Sequence, residues 1–134
     1  MKVFGINHIN IEVTPNKLAD VVAFYENIIG LKSGQRAVSK RDGAWMYCGE
    51  APIIHISVIE KPPYMAADIP FNHVALTCLG VDACLENLKT YNIPHRVDFR
   101  GPPEMTQIFV VDPAGIKIEL NFKGEKPTNY SEVA

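Results

Sequence analysis

Cysteine is scarce in this chain, three residues in 134, and no two of them stand in a CxxC pair. Cys48, Cys78 and Cys84 therefore suit neither a zinc knuckle nor a disulfide framework. Their odd number fits a reducing compartment, where a thiol behaves as a small buried hydrophobe. A charge excess is missing too. Thirteen Lys and Arg against 15 Asp and Glu leave a net charge of −2, which offers no basic field to a nucleic acid. No apolar run approaches the ~20 residues that a membrane helix needs. Residues 1–13, with one lysine and alternating polar positions, do not read as a signal peptide. These absences predict a soluble, cytoplasmic protein that engages neither nucleic acid nor membrane. What is present is ordinary for a globular chain: 47% hydrophobic and 21% charged residues, enough for a sizeable core in one compact domain or two small fused modules.

The most informative feature is a repeat. Ile6-Asn7-His8-Ile9-Asn10-Ile11-Glu12-Val13 reads like Phe71-Asn72-His73-Val74-Ala75-Leu76-Thr77-Cys78, with the two histidines 65 residues apart. Alternation over this length predicts a strand in each copy. A helical pattern follows each strand, over 17–29 with Leu18, Val21, Val22, Tyr25 and Ile28 near one face, and over 81–91 with Val81, Leu85 and Leu88. Gly30 and Asn92 stand where C-terminal capping residues belong. Three strand-like runs then complete each copy, 32–39, 44–48 and 52–59 in the first and 95–99, 106–111 and 116–122 in the second. Asp42-Gly43, Gly49-Glu50 and Asp112-Pro113-Ala114-Gly115 supply turns between them.

Such a repeat predicts two copies of one supersecondary unit that share a core. The expected fold is α+β: two βαβββ modules forming a curled, cleft-lining mixed sheet backed by helices. The expected organisation is a single domain over residues 1–122, with module 1 at 4–60, a proline-rich linker at 61–70 and module 2 at 71–122. Residues 123–134 read as a loose C-terminal tail.

Parity along the strands sorts the side chains into two faces. Ile9, Ile11 and Val13 oppose His8, Asn10 and Glu12. Ile54, Ile56 and Val58 oppose His55 and Ser57. Val74, Leu76 and Cys78 oppose His73, Ala75 and Thr77, and Ile116, Ile118, Leu120 and Phe122 oppose Lys117, Glu119 and Asn121. Three of the four histidines and a glutamate thus fall on polar strand faces, at matching places in the repeat, since His55 and Glu119 are 64 residues apart. Imidazole and carboxylate together are a ligand set for Zn, Ni, Mn or Fe(II). Asn10, Ser57, Thr77 and Asn121 share those faces and are candidates to orient the ligands. Trp45 and Tyr47 share a strand face and offer stacking surface for a flat ligand; Gln107 shares the parity of Phe109, which alone does not assign it a role.

This pattern resembles the vicinal oxygen chelate superfamily, the glyoxalase / bleomycin-resistance / extradiol-dioxygenase group. The resemblance spans roughly residues 6–122. It rests on Asn7-His8-Ile9, on Phe24-Tyr25 followed by Ile29-Gly30-Leu31, on Asn72-His73-Val74-Ala75, and on Asp112-Pro113-Ala114-Gly115-Ile116-Lys117-Ile118-Glu119-Leu120, where Ala114 replaces an aspartate usual in the family. The resemblance implies one divalent metal ion (Zn, Ni, Mn, Co or Fe(II)) held by His8, His73 and Glu119, with His55 at the place of a fourth ligand, and with Glu119 as a catalytic base. It implies a metal-dependent enzyme of glyoxalase type, with isomerase- or lyase-like chemistry on a small substrate chelated through neighbouring oxygens. The alternatives are an Fe(II) extradiol-type dioxygenase and a non-enzymatic drug-binding protein of the bleomycin-resistance type. A homodimer is implied as well. Glu12 stands where glutathione-dependent members often carry arginine, which speaks against a glutathione adduct as substrate. The run Leu120-Asn121-Phe122-Lys123-Gly124-Glu125 departs from that of the fosfomycin-modifying transferases.

Overall fold

The computed structural model describes residues 1–61 and 69–131. Most of the expected linker, residues 62–68, and the last three residues lie outside the described part. The chain divides into two compact units, Met1–Asp68 and Ile69–Ala134. Each has its own four-stranded mixed sheet, as two βαβββ modules predict.

The first unit runs β1 (Ile9–Val13), α1 (Leu18–Phe24), β2 (Lys32–Gly34), β3 (Gly43–Cys48) and β4 (Ala51–Val58). The second runs β5 (Val74–Thr77), α2 (Val81–Thr90), β6 (Arg96–Arg100), β7 (Met105–Val111) and β8 (Lys117–Lys123). The strand orders are β1-β4-β3-β2 and β5-β8-β7-β6, so both units are βαβββ with the same topology. In each, the first strand lies parallel to the last: Ile9 faces Ile54 in β1/β4, and Val74 faces Ile118 in β5/β8. The sequence repeat is therefore a repeat of register.

The apolar faces form the two cores. In the first unit Ile11, Val13, Met46, Ile54 and Ile56 are buried with Val21, Phe24 and Tyr25 from α1 and the turn after it. In the second, Ile108, Val110, Ile118, Leu120 and Phe122 are buried with Val81 and Leu88 from α2. The expected helix at 17–29 is composite: a 3₁₀ turn at Pro15–Lys17, the α-helix, then a π-helical turn at Tyr25–Ile29 that closes on left-handed Gly30. The Leu31 amide donates to the Tyr25 carbonyl at 2.9 Å, a wide closure that lets Tyr25 stay fully buried. Asn92, with φ 51°, is left-handed at the end of α2, as its capping role requires.

Three expectations are corrected. β1 starts at Ile9 rather than Ile6, its first pair with β4 being Ile9 with Ile54. Similarly β5 covers only Val74–Thr77, since β8 begins after the Asp112–Gly115 turn, in which the Asp112 carboxylate accepts from the Ala114 and Ile116 amides. The strand expected at 32–39 stops at Gly34. Beyond it, side chains replace the ladder: the Tyr47 hydroxyl donates to the Gln35 carbonyl, and Arg36 donates to the Arg41 carbonyl at 2.7 Å.

Nor is the segment after β8 loose where it is described. The Glu125 carboxylate accepts from the Gly80 and Val81 amides at the start of α2, at 2.8–3.0 Å. Thr128 donates twice to Asp82, from its amide and its hydroxyl, at 2.9 and 2.6 Å. The N-cap of α2, left-handed Gly80, has no side chain to bond the first amides. Glu125 supplies the cap from 45 residues away.

The start of β3 is intolerant of a side chain. A Cβ at Gly43 would meet the Ile56 carbonyl oxygen at 2.1 Å, a backbone atom of the neighbouring strand. Gly43→Ala should destabilise the chain by about 1–3 kcal/mol, read as a lowered urea midpoint. Gly49→Ala, with open space around its Cβ position but φ 60°, tests the backbone cost alone.

Candidate functional site

Each unit gathers two of the four side chains singled out by the sequence. In the second unit, His73 stands just before β5 and Glu119 lies in the middle of β8. His73 Nε2 and Glu119 Oε2 are 3.0 Å apart. Glu119 is 6% exposed, one of few buried polar residues. Its other oxygen, Oε1, accepts from Gln107 Nε2 at 2.7 Å and from Asn121 Nδ2 at 2.9 Å. Burial raises the Glu119 pKa, but the donors on Asn121 and Gln107, with the His73 imidazole, outweigh it and hold the carboxyl below its ordinary value. The group is held as a carboxylate.

The repeated Asn-His dipeptide has a physical reason. Asn72 Oδ1 lies 2.8 Å from His73 Nδ1, and Asn7 Oδ1 lies 2.7 Å from His8 Nδ1. An amide oxygen accepts only, so this orientation of each asparagine favours the tautomer with its proton on Nδ1 and Nε2 free. Lys117 Nζ, at 3.5 Å from Asn72 Oδ1, reinforces that orientation of the Asn72 amide. His73 Nε2 faces the Glu119 carboxylate, a contact at which both could serve one cation.

In the first unit His8 and His55 come together differently. Their rings stack with centroids 3.8 Å apart and planes within 9°. Trp45, the register partner of His55 across β3/β4, stacks on its other face at 4.0 Å and 12°. His55 Nε2 is buried with no hydrogen-bond partner. Burial, with the neighbouring His8 imidazole, holds the His55 pKa below its ordinary value, against a backbone hydrogen bond at Pro52. Stacking has a consequence for ligation. An imidazole lone pair lies in its ring plane, so parallel rings direct theirs side by side and not toward one point.

Among the described residues, no group of three or more His, Cys, Asp and Glu stands together at a metal-sized spacing. The structure thus pairs His8 with His55 and His73 with Glu119. Asn121, anticipated from its strand face, does touch the carboxylate. Asn10 accepts from the Ser57 hydroxyl at 2.9 Å, which ties β1 to β4 beside His55. Gln107 was legible only as a parity, and its contact with Glu119 follows from the register that sets it opposite Asn121. Trp45 turns to His55, while Tyr47 lies against Gly34 and bonds to Gln35 instead of offering a stacking face beside it.

Paired units of identical topology, each with imidazole or carboxylate on the polar side of its parallel strand pair, define the two-module βαβββ class. The chain belongs to the Glyoxalase/Bleomycin resistance protein/Dioxygenase superfamily, whose family model matches residues 5–120. A protein from Bacillus anthracis assigned to the glyoxalase family is similar at 26% identity, with TM-score 0.74 over 92% of this chain and 98% of that one. The fold is shared with the trypanothione-dependent glyoxalase I of Leishmania major, at 20% identity and TM-score 0.66 over 88% and 86% of the two chains. It is shared too with the fosfomycin resistance protein FosX of Listeria monocytogenes, at 20% identity and TM-score 0.67 over 90% and 94%. No curated protein matches the chain at a significant level. No helix among the described residues is long and apolar enough to cross a membrane.

The asparagine anchors carry a prediction. Asn72→Ala releases His73 Nδ1 and lets the ring take the other tautomer, so divalent-cation affinity should fall about 10–100-fold with the fold intact. Calorimetric titration with Zn or Ni checks it, and Asn7→Ala should act alike through His8.

Proposed function

We propose that the chain is a metal-dependent enzyme of glyoxalase type, acting on a small substrate that offers two neighbouring oxygens. The observation that carries this reading is the His73–Glu119 pair. A buried carboxylate, kept ionised by two amide donors, faces an imidazole nitrogen whose ring partner is already committed to Asn72. That arrangement supports the reading of His73 and Glu119 as two ligands of one cation.

The donor set fits a divalent ion. His8 and His73 have their Nδ1 atoms held by asparagine, Glu119 is anionic, and His55 Nε2 is an orphaned buried nitrogen. His8, His73 and Glu119 form the ligand set of the proposal, with His55 as its fourth member once its ring turns out of the stack. The units that carry them are contributed by one chain or by two chains of a homodimer. When bound, the ion polarises both substrate oxygens and stabilises negative charge that develops on them.

The protein's own groups then handle the proton. Glu119 Oε1 is fixed by Gln107 and Asn121, so Oε2 is the oxygen that would loosen from the ion to take a proton from the substrate carbon and return it to the neighbouring one. His73 is steadied by Asn72, and its ring stands perpendicular to that of Phe109 with centroids 6.1 Å apart.

The Trp45–His55–His8 stack favours a second reading. If His55 stays in the stack, the ligands are two histidines and one carboxylate, the set of non-haem Fe(II) dioxygenases. Trp45 is the only tryptophan in the chain and reports directly on its neighbour. Under the leading reading, adding Zn or Ni draws His55 off the indole and changes Trp45 emission saturably at about one ion per chain, and His55→Ala abolishes that change. An unchanged emission despite metal uptake, with oxygen consumed in the presence of Fe(II) and a catechol, decides for the dioxygenase.

A further inference from the structure

The second sheet carries a constellation on the Glu119 side that the proposed ligand set does not use. Phe109 faces Glu119 across β7/β8, and Arg96 faces Phe109 across β6/β7. Directly opposed residues share a face of a sheet, so Arg96, Phe109 and Glu119 form one row. The Arg96 guanidinium lies over the Phe109 ring at 4.6 Å from its centroid, and the His73 ring meets the same Phe109 edge-on. In the next row on that face Val111 opposes Lys117, whose Nζ reaches the Asn72 oxygen that anchors His73. A cavity of about 380 Å³ lies here, lined by Pro94, His95, Phe109 and Val111 with Arg96 and Lys117. Its floor is apolar and two of its walls are cationic.

We propose that this cavity receives a second, anionic end of the substrate. The substrate class is then a small organic acid, with a carboxylate separated by a short apolar chain from its pair of neighbouring oxygens. The inference rests on the metal reading only for the placement of those oxygens. Adjacent strands are ~4.8 Å apart, so the Arg96 backbone stands about 10 Å from that of Glu119. The guanidinium, lying back over Phe109, shortens this to the span of a few methylenes. Those methylenes suit the Phe109 and Val111 surface, and the carboxylate suits the guanidinium fork with the Lys117 ammonium nearby.

Arg96 already pairs with Asp98 at 3.2 Å, but the Arg96 side chain is 68% exposed and the pair is open to water. An exposed pair of this kind is weak, and a guanidinium has five donors. Asp98 therefore steadies the side chain while leaving donors for a ligand.

The test compares 2-oxoglutarate with 2-oxopentanoate, which share the 2-oxo acid head and differ in a terminal carboxylate against a methyl. In calorimetric titrations of the Mn- or Ni-loaded chain, the diacid should bind at least about 10-fold more tightly, the worth of one charge-assisted contact. Arg96→Met should bring the ratio close to unity and Lys117→Met should narrow it. Equal affinities in the parent chain, or a ratio that survives both substitutions, overturn the proposal. A metal-free arm separates this from the metal reading: glutarate titrated into the chain should shift the Arg96 Nε–Hε resonance saturably. If that shift appears in a chain that takes up no metal, the subsite stands and the metal reading fails. If metal binds while glutarate leaves Arg96 unmoved, the subsite falls alone.

Discussion

His73→Ala should lower divalent-cation affinity by at least about two orders of magnitude, more than any substitution outside the four proposed ligands. The expectation follows from the geometry of the pair. Glu119 Oε2 has His73 Nε2 as its partner at 3.0 Å, while Oε1 is saturated by Gln107 and Asn121. Removing the imidazole takes away one donor and leaves the carboxylate without the neighbour that positions a cation against it. Glu119→Gln should be comparably severe, because it removes the charge but keeps the shape and much of the hydrogen bonding. The two substitutions together should cost less than the sum of their separate effects, since they act on one contact. Calorimetry with Zn and Ni on the parent chain, both single variants and the double variant supplies the cycle. Full additivity would show that His73 and Glu119 do not share a ligand.

Truncation after Gly124 should cost about 3 kcal/mol of folding stability, lost capping and side-chain contacts combined. Glu125 satisfies the first amides of α2, and the helix dipole favours a carboxylate there. Thr128 bonds twice to Asp82 in the same first turn. Phe99 packs against Tyr130 at 5.6 Å between centroids and carries the Lys126 ammonium over its ring at 4.9 Å. Thr106, fully buried on β7, donates its hydroxyl to the Glu125 carbonyl at 2.7 Å and would be left unpaired. Glu125→Ala alone should account for about 1–2 kcal/mol of this. Urea denaturation of the two variants checks both figures, and a tail that can be removed at no cost would contradict them.

The parts of this molecule that could be read from its sequence are those governed by period. Alternation placed β1, β4, β5 and β8 on the correct parity. The 64- and 65-residue offsets became the matched parallel registers, with His55 and Glu119 at equivalent positions opposite Asn10 and Ala75. What escaped was set by contacts distant in sequence or by local polar chemistry. The Asn-His dipeptide was visible in both copies, but its purpose, an amide oxygen on Nδ1, needs the side-chain rotamers. Gln107 reaches Glu119 because β7 and β8 pair in one particular register, which parity alone does not fix. The composite end of α1 depends on Tyr25 filling the core, and the residues after Gly34 leave the sheet because Tyr47 and Arg36 satisfy their carbonyls. A polar tail looks loose until the uncapped start of α2 is seen beside it. The stacked rings of His8, His55 and Trp45 likewise require the strand register before they can be recognised.

The central claim is that the two asparagine-anchored histidines and Glu119 hold one divalent cation. X-ray absorption at the Ni or Zn edge of the reconstituted chain addresses it most directly. The account predicts about one ion per chain, with the scattering signature of at least two imidazoles plus oxygen ligands, and the loss of one imidazole in either His8→Ala or His73→Ala. A chain that takes up none of Zn, Ni, Mn, Co or Fe(II), or an ion whose imidazole signature is unchanged in both variants, would contradict it.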